Sequence, residues 1–333
     1  MVKKKILVLA TGGTIASEIS DMGLKPHTSV QDIISGSIPN IDLYDIDAHD
    51  ILTLDSSNIQ PEEWQIMAEK VAAFYEGYDG IVITHGTDTM AYTASALTYM
   101  LSGIPVPVVM TGSQLPYFHP LTDATDNIRC AVAMAATGIP GVFLAFNRKV
   151  MLGCRAVKIR TSGFDAFDSI NYPLIGSITS DGLEISKQYI PDVPKKEFCL
   201  QTELCTDVFL LKITPGMNPH IFDLLKDSDY KGILIEAFGA GGMHYIHRDM
   251  YKKISELKQS NIAVVLTTQC LYEKSDLSKY EVGKMAVESG VISAIDMTSE
   301  AAITKLMCIL AKTSDVEVVR EYFNKNIAGE VTL

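Results

Sequence analysis

Short apolar, β-branched runs recur along the first half of the chain at Lys5–Ala10, Gly80–Thr84, Val106–Met110 and Gly141–Phe146, the signature of strands buried on both faces. Between them, apolar positions fall at helical spacing over Pro61–Glu76, Asp88–Ser102 and Leu121–Thr137. The alternation returns downstream, with strands predicted at Val208–Ile213, Gly232–Glu236 and Ile262–Leu266 and helices at Pro219–Leu225, Asp249–Gln259 and Ser299–Ala311. Continuous apolar strands joined through helices predict an α/β fold: a mostly parallel sheet covered by helices on both faces and wound by right-handed crossovers. The pattern loosens over Gln188–Asp207, where Pro191 and Pro194 flank Lys195-Lys196-Glu197. The expected organisation is therefore a large N-terminal α/β domain over 1–190, a linker over 191–206 and a smaller C-terminal α/β domain over 207–333.

Composition narrows the class. The 333 residues are 47% hydrophobic and 20% charged, the balance of a well-packed globular protein, and contain no internal repeat or low-complexity tract. No apolar stretch approaches the roughly 20 residues that cross a bilayer. A net charge of −12 argues against a nucleic-acid binder, which needs a basic face, and favours small-molecule partners. The basic start Met1-Val2-Lys3-Lys4-Lys5 is followed by an apolar run that stops at Ala10, short of a signal peptide's core, so a cytoplasmic protein is expected. The six cysteines are scattered without a CxxC pair and read as reduced core thiols, with neither disulfides nor a metal expected.

Candidate chemistry collects at predicted strand ends, where open α/β sheets present their crevice. Ala10-Thr11-Gly12-Gly13-Thr14-Ile15-Ala16 follows the first strand. Its glycines admit close backbone approach, but neither a dinucleotide nor a P-loop fingerprint follows. Thr84-His85-Gly86-Thr87-Asp88-Thr89-Met90 joins a strand to a helix. One N-cap accounts for Thr87 or Asp88 but leaves the other polar residues unexplained, and a helix N-terminus also stabilises a carboxylate or an oxyanion. Asp55-Ser56-Ser57-Asn58 reads alone as a capping turn, Lys158 alone as a surface charge, and Gly239-Ala240-Gly241-Gly242 equally well as a tight turn.

Taken together, Thr11-Gly12-Gly13-Thr14-Ile15 and His85-Gly86-Thr87-Asp88-Thr89 resemble the paired signature of the bacterial-type L-asparaginases, a family that includes glutaminase-asparaginases. The resemblance continues in order through Asp55-Ser56-Ser57, Thr111-Gly112-Ser113-Gln114, Arg155–Lys158 with Gly163–Phe167, and Met297–Ala301. The Asp-Ser-Ser form of the third motif is most similar to the cytoplasmic type I branch. A related archaeal branch, the amidase component of a glutamyl-tRNA amidotransferase, carries an extra N-terminal domain, which is not expected where the signature begins at residue 11.

The resemblance implies hydrolysis of the side-chain amide of L-asparagine, with glutamine as a weaker alternative, by a homodimer or homotetramer that uses no cofactor. It places Thr14 as nucleophile and sets Thr87, Asp88 and Lys158 side by side, with Lys158 polarising or deprotonating a hydroxyl and Thr87 activating water or relaying a proton. A buried lysine is costly unless paired, so Lys158 has a reason to be interior only beside such partners. The backbone N–H groups of Gly13 and Thr87 are the implied oxyanion donors, Asp88 the implied partner of the substrate ammonium, and Asp55, Ser56 and Ser57 the implied holders of its carboxylate and amine. A non-catalytic amino-acid sensor is the rival, disfavoured because all four reacting side chains are retained. One departure stands out: many relatives carry a tyrosine on the loop after the first motif, whereas here no tyrosine occurs between Ile15 and Leu43 and Leu24 takes its place. His27, an ordered water or a tyrosine from elsewhere would then serve the nucleophile, and Ser17–Thr28 is expected to act as a lid.

Overall fold

The first apolar run becomes β1 (Lys4–Gly12), whose last seven residues are buried. A computed structural model describes residues 3–20, 23–26, 29–38, 43–193 and 196–333. The chain divides into two units, Met1–Thr202 and Glu203–Leu333.

In the first unit a hairpin, β2 (Ser17–Ser20) with β3 (Gly23–Pro26), precedes α1 (Val30–Ser37) and β4 (Tyr44–Leu54). Then α2 (Pro61–Phe74), β5 (Gly80–Thr84), α3 (Met90–Met100), β6 (Pro107–Thr111), α4 (Ala124–Ala135) and β7 (Gly141–Phe146) alternate. Five short strands follow without an α-helix: β8 (Lys149–Leu152), β9 (Ala156–Lys158), β10 (Phe167–Ser169), β11 (Gly176–Thr179) and β12 (Gly182–Ile185). The main sheet runs β12-β11-β8-β7-β6-β5-β1-β4, with β4, β1, β5, β6 and β7 mutually parallel. The mostly parallel sheet flanked by helices is the architecture expected. Its far edge differs, because β8, β11 and β12 add antiparallel strands.

β4 also escapes the apolar pattern. Its sequence YDIDAHDILTL places charges along an edge strand none of whose residues is fully buried, and charged edges discourage pairing with another chain. α3 is buried around almost its whole circumference and touches β6, β7 and β9, so it carries no polar stripe.

The second unit is smaller: β13 (Val208–Lys212), α5 (His220–Asp227), β14 (Gly232–Ala237), α6 (Met250–Gln259), β15 (Ala263–Thr268), α7 (Glu281–Glu288), β16 (Ile292–Ser293), α8 (Ser299–Leu310) and α9 (Val316–Phe323). Its sheet, β13-β14-β15-β16, is parallel throughout. Ile233, Ile235, Val264, Leu266, Phe222 and Ile254 lie in its core. In the same unit Lys305 and Glu330, both with no exposed side-chain surface, meet at 2.5 Å. Lys305 also donates to the Lys325 carbonyl at 2.8 Å, and Glu330 accepts the Ile327 and Ala328 N–H groups, so every charge on the pair has a partner.

Cys130, Cys154, Cys205 and Cys308 are buried, Cys199 and Cys270 exposed, and none forms a disulfide among the described residues. No helix among those residues is long and apolar enough to cross a membrane.

Candidate active site

Backbone contacts between glycines draw the carboxyl ends of β1, β4 and β5 together. Gly12 and Gly13 adopt φ of +100° and +80°, which glycine takes without strain. A Cβ on Gly13 would stand 2.5 Å from the Gly86 Cα, and one on Gly86 would stand 2.7 Å from the Ser56 Cβ. Three loops, those of Thr14, Thr87 and Ser56, thus touch through positions that accept no side chain. The Thr11 hydroxyl is occupied in this joint, donating to the Thr84 carbonyl at 3.0 Å. Thr14, half-buried, opens the 3-10 turn Thr14–Ala16.

Lys158 arrives from β9, where it pairs with Phe167 across the hairpin to β10. Its Nζ donates to Thr87 Oγ1 at 2.9 Å and to Asp88 Oδ1 at 2.5 Å. The side chain of Lys158 is 15% exposed and that of Asp88 63%, so the ammonium lies inside while its counter-charge faces solvent. The structure therefore brings Thr87, Asp88 and Lys158 together across 71 residues of sequence.

Ser56 is buried under the same loop. Its Oγ accepts the Asp88 N–H at 3.2 Å and its carbonyl accepts the Thr89 hydroxyl at 2.7 Å. Asp55 caps the turn Ser56–Asn58, accepting the Ser57 N–H at 2.8 Å and the Ser57 hydroxyl as well. Those hydrogen bonds hold its carboxyl below the usual aspartate range. Asp55 and Ser57 are exposed beside Ser56, and their mutual bonds satisfy the capping turn read from the sequence.

Of the two implied oxyanion donors, the Gly13 N–H is engaged: it donates to the Leu54 carbonyl at 2.9 Å, the bond that joins the ends of β1 and β4. The Thr87 N–H has no backbone partner among the described residues.

His85 and Gln114 belong to motifs visible in the sequence, yet their contacts are not readable from it. His85 is fully buried, and burial pushes its pKa down to about 4, so it is neutral. The Trp64 indole N–H donates to Thr93 Oγ1 at 2.9 Å. The Gly86 carbonyl can only accept, so Nδ1 carries the hydrogen of the neutral ring and donates to it at 2.7 Å, which leaves Nε2 to accept the Thr93 hydroxyl at 3.0 Å. This relay clamps the peptide that precedes Thr87. Gln114 accepts from the Thr87 hydroxyl at 3.2 Å.

The segment expected to act as a lid forms an antiparallel hairpin, Ser17 opposite Pro26 and Ser20 opposite Gly23. Asp21, Met22, His27 and Thr28 lie outside the described residues, and with them the proposed role of His27. Tyr117 approaches the first loop from elsewhere, its N–H donating to the Ile15 carbonyl at 3.2 Å, but its hydroxyl is turned against Gly36 of α1. Gly239–Gly242 is a tight turn, closed by Phe238 and Gly242 exchanging backbone hydrogen bonds at 3.0 and 2.9 Å.

Residues 5–191 match the family model of the asparaginase N-terminal domain, and residues 207–323 that of the glutaminase/asparaginase C-terminal domain. The chain belongs to the asparaginase family. Among its relatives, the L-asparaginase of Thermococcus kodakarensis is 45% identical over 329 residues, covering 98% of this chain and 99% of that protein. A solved structure of the thermostable L-asparaginase from that organism superposes with a TM-score of 0.93 at 44% identity, over 98% of this chain and 99% of the other. L-asparaginase 1 of Escherichia coli is 35% identical over 339 residues, covering 100% of this chain and 99% of that protein. A component of the glutamyl-tRNA(Gln) amidotransferase of Methanosphaera stadtmanae is 34% identical over 341 residues and covers 99% of this chain but 77% of that protein. Among the described residues of this asparaginase-family chain, no group of three or more His, Cys, Asp or Glu side chains is placed to hold a metal ion.

Proposed function

We propose that the protein is an L-asparaginase that hydrolyses the side-chain amide of L-asparagine to L-aspartate and ammonia through a threonine ester. The observation that carries this reading is the Lys158 ammonium bridging Thr87 and Asp88 at a strand-end joint shared with Thr14 and Ser56. Membership in the asparaginase family supplies the reaction class.

In this reading Thr14 Oγ attacks the amide carbon, its proton travels to the departing nitrogen, and ammonia leaves an acyl-enzyme that water then cleaves. Lys158 polarises the hydroxyls beside it, and Thr87 orients the hydrolytic water. The Thr87 N–H faces the oxyanion. Gly13 joins it by exchanging its bond to Leu54 when substrate enters, since one N–H cannot serve both acceptors fully. Asp88, whose carboxylate faces solvent beside Lys158, receives the substrate ammonium, and Ser56 with Asp55 and Ser57 holds the α-carboxylate and amine. The same carboxylates disfavour retention of the aspartate product. Thiols outside any disulfide, two of them exposed, support a reducing, cytoplasmic setting, and family resemblance supports a homodimer or homotetramer.

The test is ammonia release from asparagine and from glutamine by the purified protein, without added metal. One methylene of substrate length is worth about 10- to 200-fold in kcat/KM, so asparagine should lead glutamine within that range. Equal turnover of the two, or none of either, would refute the assignment.

A further inference from the structure

Gln114 leaves the end of β6 and touches three parts of the site at once. Its side-chain Nε2 donates to the carbonyls of Gly163 at 3.0 Å and Thr161 at 3.3 Å, while its Oε1 faces Thr87 Oγ1 at 3.2 Å. Its backbone N–H donates to both Asp123 carboxylate oxygens, at 3.1 and 3.0 Å. Asn127 holds that carboxylate in turn, its Nδ2 donating to Asp123 at 3.0 Å and to the Gly112 carbonyl at 2.9 Å. The residue is thus anchored behind and committed in front.

Two carbonyls at one end of a primary amide leave it a single orientation. The NH2 group must face them, because an amide oxygen there would meet two acceptors with no hydrogen between. Oε1 is therefore the atom at Thr87, and since an amide oxygen only accepts, the Thr87 hydroxyl must spend its one hydrogen on Gln114. Lys158, whose ammonium has hydrogens and no lone pair, donates to the same Thr87 oxygen from another side at 2.9 Å. Thr87 Oγ1 keeps one lone pair and no hydrogen for anything that enters the site.

We infer that Gln114 is a positioning residue that makes Thr87 a hydrogen-bond acceptor toward the reacting groups and ties it to the segment after Lys158. Of the two roles open to Thr87, this selects one. It accepts a hydrogen from the attacking hydroxyl or the hydrolytic water, and it does not donate to the departing nitrogen, because the amide oxygen of Gln114 holds its hydrogen elsewhere.

The kinetic part of the test rests on the asparaginase reading; a second part does not. Gln114→Met removes both the acceptor and the donors, and small misplacements of reacting groups cost up to about 10²-fold, so kcat for asparagine should fall about 10- to 100-fold with KM changed much less. Gln114→Glu is isosteric. As a carboxylate it cannot donate to Gly163 or Thr161, whereas its protonated acid can present a carbonyl to Thr87 and an O–H to Gly163. With an ordinary glutamate pKa of about 4.3, the ratio of its kcat to wild type should rise steadily from about pH 8 to about pH 5. The charged groups around the position are Lys158, Asp88, Asp123 and the Arg160–Asp165 pair; they are common to both proteins and cancel in the ratio. Neutron diffraction on the wild type should find the Thr87 deuterium on the line to Gln114, whichever amide the protein hydrolyses. Wild-type kcat in Gln114→Met, a flat ratio in Gln114→Glu, or a deuterium aimed away from Gln114 would each overturn the inference. Failure of the wild type on asparagine would instead remove the proposed function and leave the neutron result to decide.

Discussion

His85 shows how a single buried side chain couples the site to pH. Folded, it stays neutral down to about pH 4; in the unfolded chain it titrates near its ordinary value of 6.5. Between those values the unfolded chain binds the extra proton, so stability falls as the pH drops from 6.5 toward 4 and is untouched by His85 above that window. The full cost is about 3 kcal/mol by the usual conversion of a pKa difference. Urea unfolding of the wild type and of His85→Gln should therefore show the variant losing less stability across this window, and parallel losses would contradict the account. Lys158 differs, since in the proposed mechanism its contacts to Thr87 and Asp88 serve the reaction. Lys158→Met is expected to lower kcat more than about 10²-fold with a smaller change in KM. A change confined to KM would make Lys158 a binding residue.

At the scale of elements, the site is a joint between strand ends, and glycine makes the joint possible. Gly86→Ala places a Cβ 2.7 Å from Ser56, and such overpacking costs typically about 1–3 kcal/mol. Because it pries the Thr87 loop from the Ser56 loop, kcat should fall with Tm. Gly77→Ala meets nothing within 4 Å and should leave both unchanged, which a calorimetric scan with a rate assay checks. The elements legible in the sequence were those with uniform environments. β5 and β7 are apolar on both faces, and their ends match the apolar runs residue for residue. β4 was not legible, because an exposed charged edge carries no apolar period, nor were β8 to β12, whose three- and four-residue lengths are too short for one. Helix ends moved by two or three residues where turns precede them, as at Met90 and Ala124. The site was legible only as motifs. Gln114 lies 27 residues from Thr87 and Lys158 lies 71 from it, and nothing in local sequence says which polar side chains such separations bring together.

At the scale of the whole molecule, the parallel strands of the two sheets follow from apolar runs separated by helices, whereas the Lys305–Glu330 pair depends on chain folding that no local pattern reports. Removing one partner of a buried, fully bonded pair strands the other charge, so Lys305→Met should destabilise the protein by about 3–5 kcal/mol. A double variant that removes both charges should recover part of that loss, and a single variant with wild-type Tm would contradict the burial. Assembly is expected to be at least dimeric, and light scattering at assay concentration that finds an active monomer would refute it. In the proposed function, hydrolysis at the joint of the first unit runs through the Thr14 hydroxyl. Thr14 is half-buried at the start of a short turn and supports no core, so replacing it should spare the fold. The most direct measurement is ammonia release from asparagine by Thr14→Ala beside the wild type, with Tm recorded for both. Turnover is expected to disappear while Tm stays nearly unchanged; a folded Thr14→Ala protein that releases ammonia at the wild-type rate would rule out Thr14 as the nucleophile.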